Sequence, residues 1–176
     1  SVRLKLRNEN RLRDLALFNM ALDSKLRACD LLNLRVSDVS NGKEINSRAT
    51  VLQKKTRRPV KFEITQKTRK STLEWIKKAS LTGPDFLFPS RIRTSQHLST
   101  RQYSRMLSSW MASVGRDPTA YGTHSMRRTK ATLLYRRTKN LRAIQLLLGH
   151  SKLDSTVRYL GIEIDDALEM SEQIDV

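Results

Sequence analysis

The sequence predicts an α+β fold: a mainly helical domain carrying one small antiparallel sheet. Apolar residues recur at helical spacing through most of the chain, and they alternate with polar residues only in the stretch after Asn41-Gly42. Asn-Gly and Gly-Pro punctuation separates the periodic segments. In chain order, Leu12, Leu15, Ala16, Asn19 and Leu22 share one helical face, which breaks near Asp23-Ser24. Asp30, Leu31, Leu34 and Val36 resume an apolar pattern. Two strands are expected around Ala49, Val51, Gln53 and around Val60, Phe62, Ile64, joined by the basic turn Lys54-Lys55-Thr56-Arg57-Arg58-Pro59. Phe86-Leu87-Phe88 reads as a third, short strand.

The remainder reads as helix. Residues 65–79 offer Leu73, Trp75 and Ile76 as apolar contacts, and 81–93, with Gly83-Pro84 and Pro89, form a loop. Ser99 or Thr100 caps a helix over 99–114, whose core face is Tyr103, Met106, Leu107, Trp110 and Met111. The burial tendency of such side chains assigns Trp75, Trp110, Met106 and Tyr103 to the core rather than to base stacking. Residues 115–122 interrupt the pattern. Helices follow over 124–137 and 141–148, the latter with Ile144, Leu147 and Leu148 inward and Gly149 as its C-terminal stop. Ser151 to Asp154 resembles a capping box opening a short helix that ends near Tyr159. Residues 164–174 form a last amphipathic helix.

Composition narrows the function classes. The 176 residues suit one domain able to bury its own core. A single cysteine, Cys29, permits no internal disulfide, and no apolar run reaches the length of a signal core or a membrane span. A cytoplasmic, nucleoid-associated protein is expected. The net charge is +17 and unevenly spread: residues 161–176 hold six acids and no Lys or Arg. The first 160 residues therefore set 34 cations against 11 acids, a net +23. Such a surface attracts phosphate backbones, and charge alone leaves DNA and RNA equally open as partners.

Metal chemistry finds few ligands here, with three histidines (His97, His124, His150), one cysteine, and acids clustered in the tail. No cofactor or metal is expected. No Gly-rich phosphate loop or Gly-x-Ser-x-Gly elbow occurs. What remains is a set of cations and a tyrosine near the C-terminus. Taken singly each is weak, since a helical Arg is usually solvated and a lone Tyr is usually core.

In order, the chain presents Arg27-Ala28-Cys29-Asp30-Leu31, a lysine in a β-turn, His124-Ser125-Met126-Arg127, Leu148-Gly149-His150 and Tyr159. This series resembles the tyrosine recombinase (phage integrase) family over roughly residues 10–165. Asp30 stands where the family usually has Glu, and Ser24-Lys25-Leu26 replace a common Gly ahead of the first Arg. The resemblance implies the integrase-like catalytic fold and a catalytic set of Arg27, Lys55, His124, Arg127, His150 and Tyr159. Lys54 is the alternative to Lys55; Lys55-Thr56 matches the family pattern better. Tyr121 and Tyr135 are rival nucleophiles.

The implied activity is cleavage and rejoining of double-stranded DNA through a 3′-phosphotyrosine, without metal or ATP. Arg27 and Arg127 would hold the phosphate oxygens. Lys55 would protonate the leaving oxygen, His124 would act as base and His150 as phosphate donor. Lys54, Arg57, Arg58, Arg128 and Lys130 would contact DNA. Arg136 and Arg137 also read as phosphate contacts rather than base readers. The family also implies a tetramer on DNA, with the acidic tail, residues 160–176, either docking on a neighbouring subunit or packing against its own domain. The whole of 1–176 reads as one catalytic domain without the N-terminal DNA-clamping domain that family members often carry. The alternatives are a non-catalytic DNA-binding protein of the same fold and a type IB topoisomerase-like activity.

Overall fold

In the computed structural model, which describes residues 1–91 and 96–174, helices surround one two-stranded sheet. Helix α1 (Val2–Asn8) leads into α2 (Leu12–Ser24), followed by the short α3 (Ala28–Leu32) and α4 (Val36–Val39). Strands β1 (Arg48–Leu52) and β2 (Pro59–Glu63) pair antiparallel, with Ala49 opposite Phe62 and Val51 opposite Val60. Period-2 alternation sends Ala49, Val60 and Phe62 inward. Helices α5 (Gln66–Ala79), α6 (Thr100–Ser113), α7 (Thr123–Thr138), α8 (Leu141–Leu148), α9 (Leu153–Leu160) and α10 (Ile164–Glu172) complete the domain.

Two apolar clusters hold it together. The larger joins α2, α3, α4, the inner face of the sheet and α6, with Leu17, Met20, Leu32, Phe62, Leu107 and Trp110 buried. Trp110 packs edge-on to Phe18, with ring centroids 5.8 Å apart, and its Nε1 donates to Asp14 at 3.2 Å. The indole thus buries its area without leaving its donor unpaired. The smaller cluster joins Ala131 and Tyr135 of α7 to Ile144 and Leu148 of α8, with Tyr159 and Leu160 of α9 packed against it. Trp110, Tyr103, Leu107 and Met111 are buried as expected, and Met106 is half-buried.

The α2–α5 seam departs from the apolar pattern. Leu73, Trp75 and Ile76 are only partly buried, whereas Thr68, Ser71 and Thr72 are buried. Small hydroxyl side chains let α5 approach α2 closely, and Asn19 at the seam donates to Ser71 Oγ at 3.0 Å and accepts from Arg3. A buried polar group satisfied on both sides fixes the register of the two helices.

Three expectations change. Residues 86–88 form no strand; Phe86 makes an isolated bridge with Arg35, and Leu87 N donates to Leu34 O at 2.8 Å. Pro84 and Pro89 bracket the segment and cannot donate to a ladder. The end of the 81–93 loop, including Arg93, lies outside the described residues. Ser151 caps no helix: α9 starts at Leu153 after Lys152, with no side-chain cap. Finally, α10 has no buried residue, and Ile164 (71% exposed) and Leu168 (51%) face solvent, while Leu160 and Ile162 at the start of the tail pack on the smaller apolar cluster. Asp175 and Val176 lie outside the described residues. No helix among those described is long and apolar enough to cross a membrane.

Candidate functional site

Helix α7 carries the centre of the site. Its inward stripe is Met126, Arg127, Ala131 and Tyr135, so one turn buries a guanidinium where the next buries alkyl and aromatic groups. Arg127 is only 4% exposed, yet no carboxylate pairs with it among the described residues. Its Nε donates to Lys25 O at 2.8 Å and its Nη2 to Leu148 O at 2.9 Å. Both partners are neutral carbonyls at the C-terminal ends of α2 and α8. They satisfy donors and fix the fork while leaving the positive charge uncompensated.

Each carbonyl sits at a left-handed backbone turn. Gly149 (φ +70°) ends α8, and a Cβ placed there would lie 2.7 Å from Gln53 Oε1. Glycine is therefore required for conformation and for space. Lys25 (φ +56°) ends α2. Its side chain is buried and donates from Nζ to Glu63 Oε1 at 2.9 Å. Lys130 binds Glu63 at 2.6 Å and Asp23 at 2.8 Å. Two acids and two lysines thus form a neutral cluster beneath α7, and it holds a non-glycine residue in a costly conformation. Burial pushes Lys130 down, but its bonds to Asp23 and Glu63 outweigh this and leave its pKa raised. Lys130, expected among the DNA contacts, is thus engaged by Asp23 and Glu63 within the fold.

Around Arg127 stand Arg27, His150 and Tyr159. Arg27 precedes the first turn of α3, and its buried Nη1 has no hydrogen-bond partner. His150 follows Gly149; its Nδ1 meets Thr156 Oγ1 at 3.1 Å, which fixes the ring. The Tyr159 ring lies edge-on to His150 with centroids 5.6 Å apart. The Arg127 and Arg128 guanidinium carbons stand 5.4 and 5.8 Å from its centre. Tyr159 Oη is buried and has no hydrogen-bond partner. Unpaired buried donors are rare and costly, about 1–3 kcal/mol each. Arg27 Nη1 and Tyr159 Oη are two of them, both facing the Arg127 centre.

Electrostatics follow from this crowding of cations. Burial raises the Tyr159 pKa, and Arg127, Arg128 and Arg27 offset part of the rise, so the resting phenol keeps its proton. Burial, then Arg127 and Arg27, depress His150 to about 4, so its ring is neutral at pH 7. Burial likewise pushes Arg127 down from its usual value.

The other expected residues lie at the rim. Lys54, Lys55, Arg57 and Arg58 are exposed on the β1–β2 turn. Asp30 anchors that turn, accepting from Lys54 N at 2.9 Å. His124 is exposed in the first turn of α7; His150, and not His124, has its ring against Tyr159. Of the rival tyrosines, Tyr135 belongs to the smaller core and Tyr121 is exposed. Sequence reasoning missed the parts played by Gln53, Lys25 and Thr156. The available signal was a glutamine on the inward-facing strand register.

Two outcomes follow. Gly149→Ala forces a strained φ and displaces Gln53; denaturant unfolding will show a loss of about 1–3 kcal/mol. The His150 pKa lies below the unfolded value of about 6.5, so the unfolded chain binds more protons between there and 4. Its contribution to stability is full above about pH 6.5 and is lost as pH falls toward 4. An NMR titration of His150 in the DNA-free protein will give a midpoint near 4; a midpoint above 6 refutes the burial argument.

Comparisons with known proteins agree with this arrangement. The family model described as "Phage integrase family" matches residues 4–163. The probable integrase/recombinase YoeC of Bacillus subtilis is 33% identical over 164 residues, spanning 93% of this chain and 85% of that protein. Tyrosine recombinase XerC of Neisseria gonorrhoeae is 28% identical over 162 residues, 92% of this chain but only 51% of its own length. Among solved structures, XerA recombinase superposes with a TM-score of 0.75 at 24% identity, over 97% of this chain and 61% of that one. XerH bound to its difH substrate before cleavage gives 0.69 at 22%, over 92% and 46%. The fold is that of tyrosine recombinase catalytic domains, and the chain belongs to the phage integrase family.

Proposed function

We propose that this chain is the catalytic domain of a site-specific DNA recombinase that cleaves and rejoins duplex DNA through Tyr159. The observation that carries the reading is the uncompensated pair Arg27 and Arg127 beside a buried phenol whose hydroxyl has no partner. A phosphodiester entering there would meet Arg27 Nη1 and the Arg127 donors that the Lys25 and Leu148 carbonyls leave open. Tyr159 Oη attacks phosphorus, a new O–P bond forms, and the bond to the 5′ oxygen breaks. The product is a 3′-phosphotyrosine and a free 5′ hydroxyl. Because the phosphotyrosine conserves the bond energy, attack by a 5′ hydroxyl reseals DNA without ATP.

Charge develops on the non-bridging oxygens in the transition state, and two preorganised guanidiniums stabilise it as a metal ion would. His150 is a weak base at a pKa of about 4. In the tautomer whose Nδ1 accepts from Thr156, the Nε2–H serves as a phosphate donor. Proton acceptance from Tyr159 then falls to His124, on the solvent side of α7, once the phenol moves out to the phosphate. Lys55, on the exposed turn, protonates the leaving oxygen, with Lys54 as its neighbour. Lys54, Arg57, Arg58 and Arg128 hold flanking phosphates. The names of XerH and the other DNA-bound relatives support duplex DNA over RNA as partner.

A pool of nicked duplexes of randomised sequence, which lose a short fragment after cleavage, traps the covalent product for detection on a denaturing gel. The parent protein will give a shifted adduct and Tyr159→Phe none. Arg27→Ala and Arg127→Ala will each slow it about 10²–10³-fold. An adduct formed by Tyr159→Phe removes the nucleophile assignment. DNA affinity measured against salt will lose about 0.9 of slope for each of Lys54, Arg57, Arg58 and Arg128 changed to Ala. Lys130→Ala will keep the slope and lose stability instead.

The unburied apolar face of α10 suits contact with a second copy in a tetramer on two DNA sites. Ile164→Ser with Leu168→Ser will leave duplex binding intact and abolish the higher-order complex in sedimentation. Persistence of that complex excludes the tail as the contact.

A further inference from the structure

The β1–β2 hairpin braces both carbonyls that hold Arg127. At its base, Glu63 at the end of β2 accepts from the Lys25 ammonium, and Lys25 O accepts from Arg127 Nε. Near its tip, Gln53 Nε2 donates to Leu148 O at 3.3 Å, the oxygen that also accepts from Arg127 Nη2. Gln53 is fully buried, with its amide pressed against Gly149, the residue before His150. The amide cannot turn freely, because Thr56 Oγ1 donates to Gln53 Oε1 at 2.8 Å. The Gln53 backbone also closes the turn, donating to Arg58 O and accepting from Arg57 N, each at 2.9 Å. One side chain thus connects the turn that bears Lys54 and Lys55 to the carbonyl that orients Arg127.

Resting on the assignment of Arg127 to the scissile phosphate, we propose that Gln53, oriented by Thr56, is a positioning residue linking the 54–58 turn to the Arg127–His150 centre. DNA seated on the exposed cations of the turn fixes Thr56 and Gln53, and Gln53 holds Leu148 O where the guanidinium meets the phosphate. Loss of the link leaves DNA binding intact, because the phosphate-contacting cations remain. It slows the chemical step, because small displacements of a charged donor cost large factors in rate. The link acts through charge on the phosphate, so it matters less when that charge is removed.

The test uses the nicked duplex recovered from the trapping pool, with single-turnover adduct formation and DNA affinity measured separately. Thr56→Val, on an exposed turn, is expected to slow adduct formation about tenfold, with affinity changed less than about twofold. Gln53→Met, which keeps the volume and removes both hydrogen bonds, should slow it further. Combined with Arg127→Ala, neither change should add to the loss from Arg127→Ala alone. A methylphosphonate at the cleaved linkage should shrink the Thr56→Val deficit, which a purely structural effect would not do. Parental rates in folded Thr56→Val and Gln53→Met, or slowing that multiplies with Arg127→Ala, overturn the proposal while leaving the nucleophile assignment intact. Parental cleavage by Arg127→Ala itself overturns the function reading on which the link rests.

Discussion

A guanidinium buried among apolar side chains needs its donors satisfied, and the choice of partner decides what the protein can do with the charge. A carboxylate beside Arg127 would stabilise it most and cancel it. Two backbone carbonyls satisfy the geometry and leave the charge available to an anion. Everything near the site serves that choice. The α2 and α8 helices must end where their last carbonyls converge on α7, which demands left-handed residues at Lys25 and Gly149. Those ends are then held by the hairpin and by the smaller apolar cluster.

Charge is sorted rather than merely abundant. The lysines that stabilise the fold, Lys25 and Lys130, are balanced by Glu63 and Asp23. Arg27, Arg127 and Arg128 surround Tyr159 without a carboxylate bound to any of them among the described residues. Arg127, Arg128 and Arg27 all draw the Tyr159 pKa down against burial, and burial, helped by Arg127 and Arg27, keeps His150 neutral. The resting site is thus a protonated phenol and a neutral imidazole among cations.

Tyr159 belongs to two environments at once. Its ring packs with Leu148, Ile144 and Ala131 in the smaller cluster, and its hydroxyl sits at the edge of the cation centre. Because this cluster is small and formed only by α7, α8 and α9, its opening costs less than opening the main core.

The linear order of residues was enough to identify the helices, the hairpin with its inward Ala49, Val60 and Phe62, and the membership of Arg27, Arg127, His150 and Tyr159 in one series. Helical and strand periods are local consequences of backbone geometry, and motif spacing survives in a string of letters. The string did not reveal that Lys130 pairs with Asp23 and Glu63, since a surface lysine and a paired one look alike until distant elements meet. Nor did it show that residues 86–88 lack a partner strand, that Ser151 is one residue too early to cap α9, or that α10 buries no residue on its own domain. Gln53 is the sharpest case: its inward register was readable, but its contact with Leu148, 95 residues away, exists only because α8 ends against the hairpin. Convergence of carbonyls, amide and guanidinium is a property of packing in three dimensions, and there the function of this chain resides.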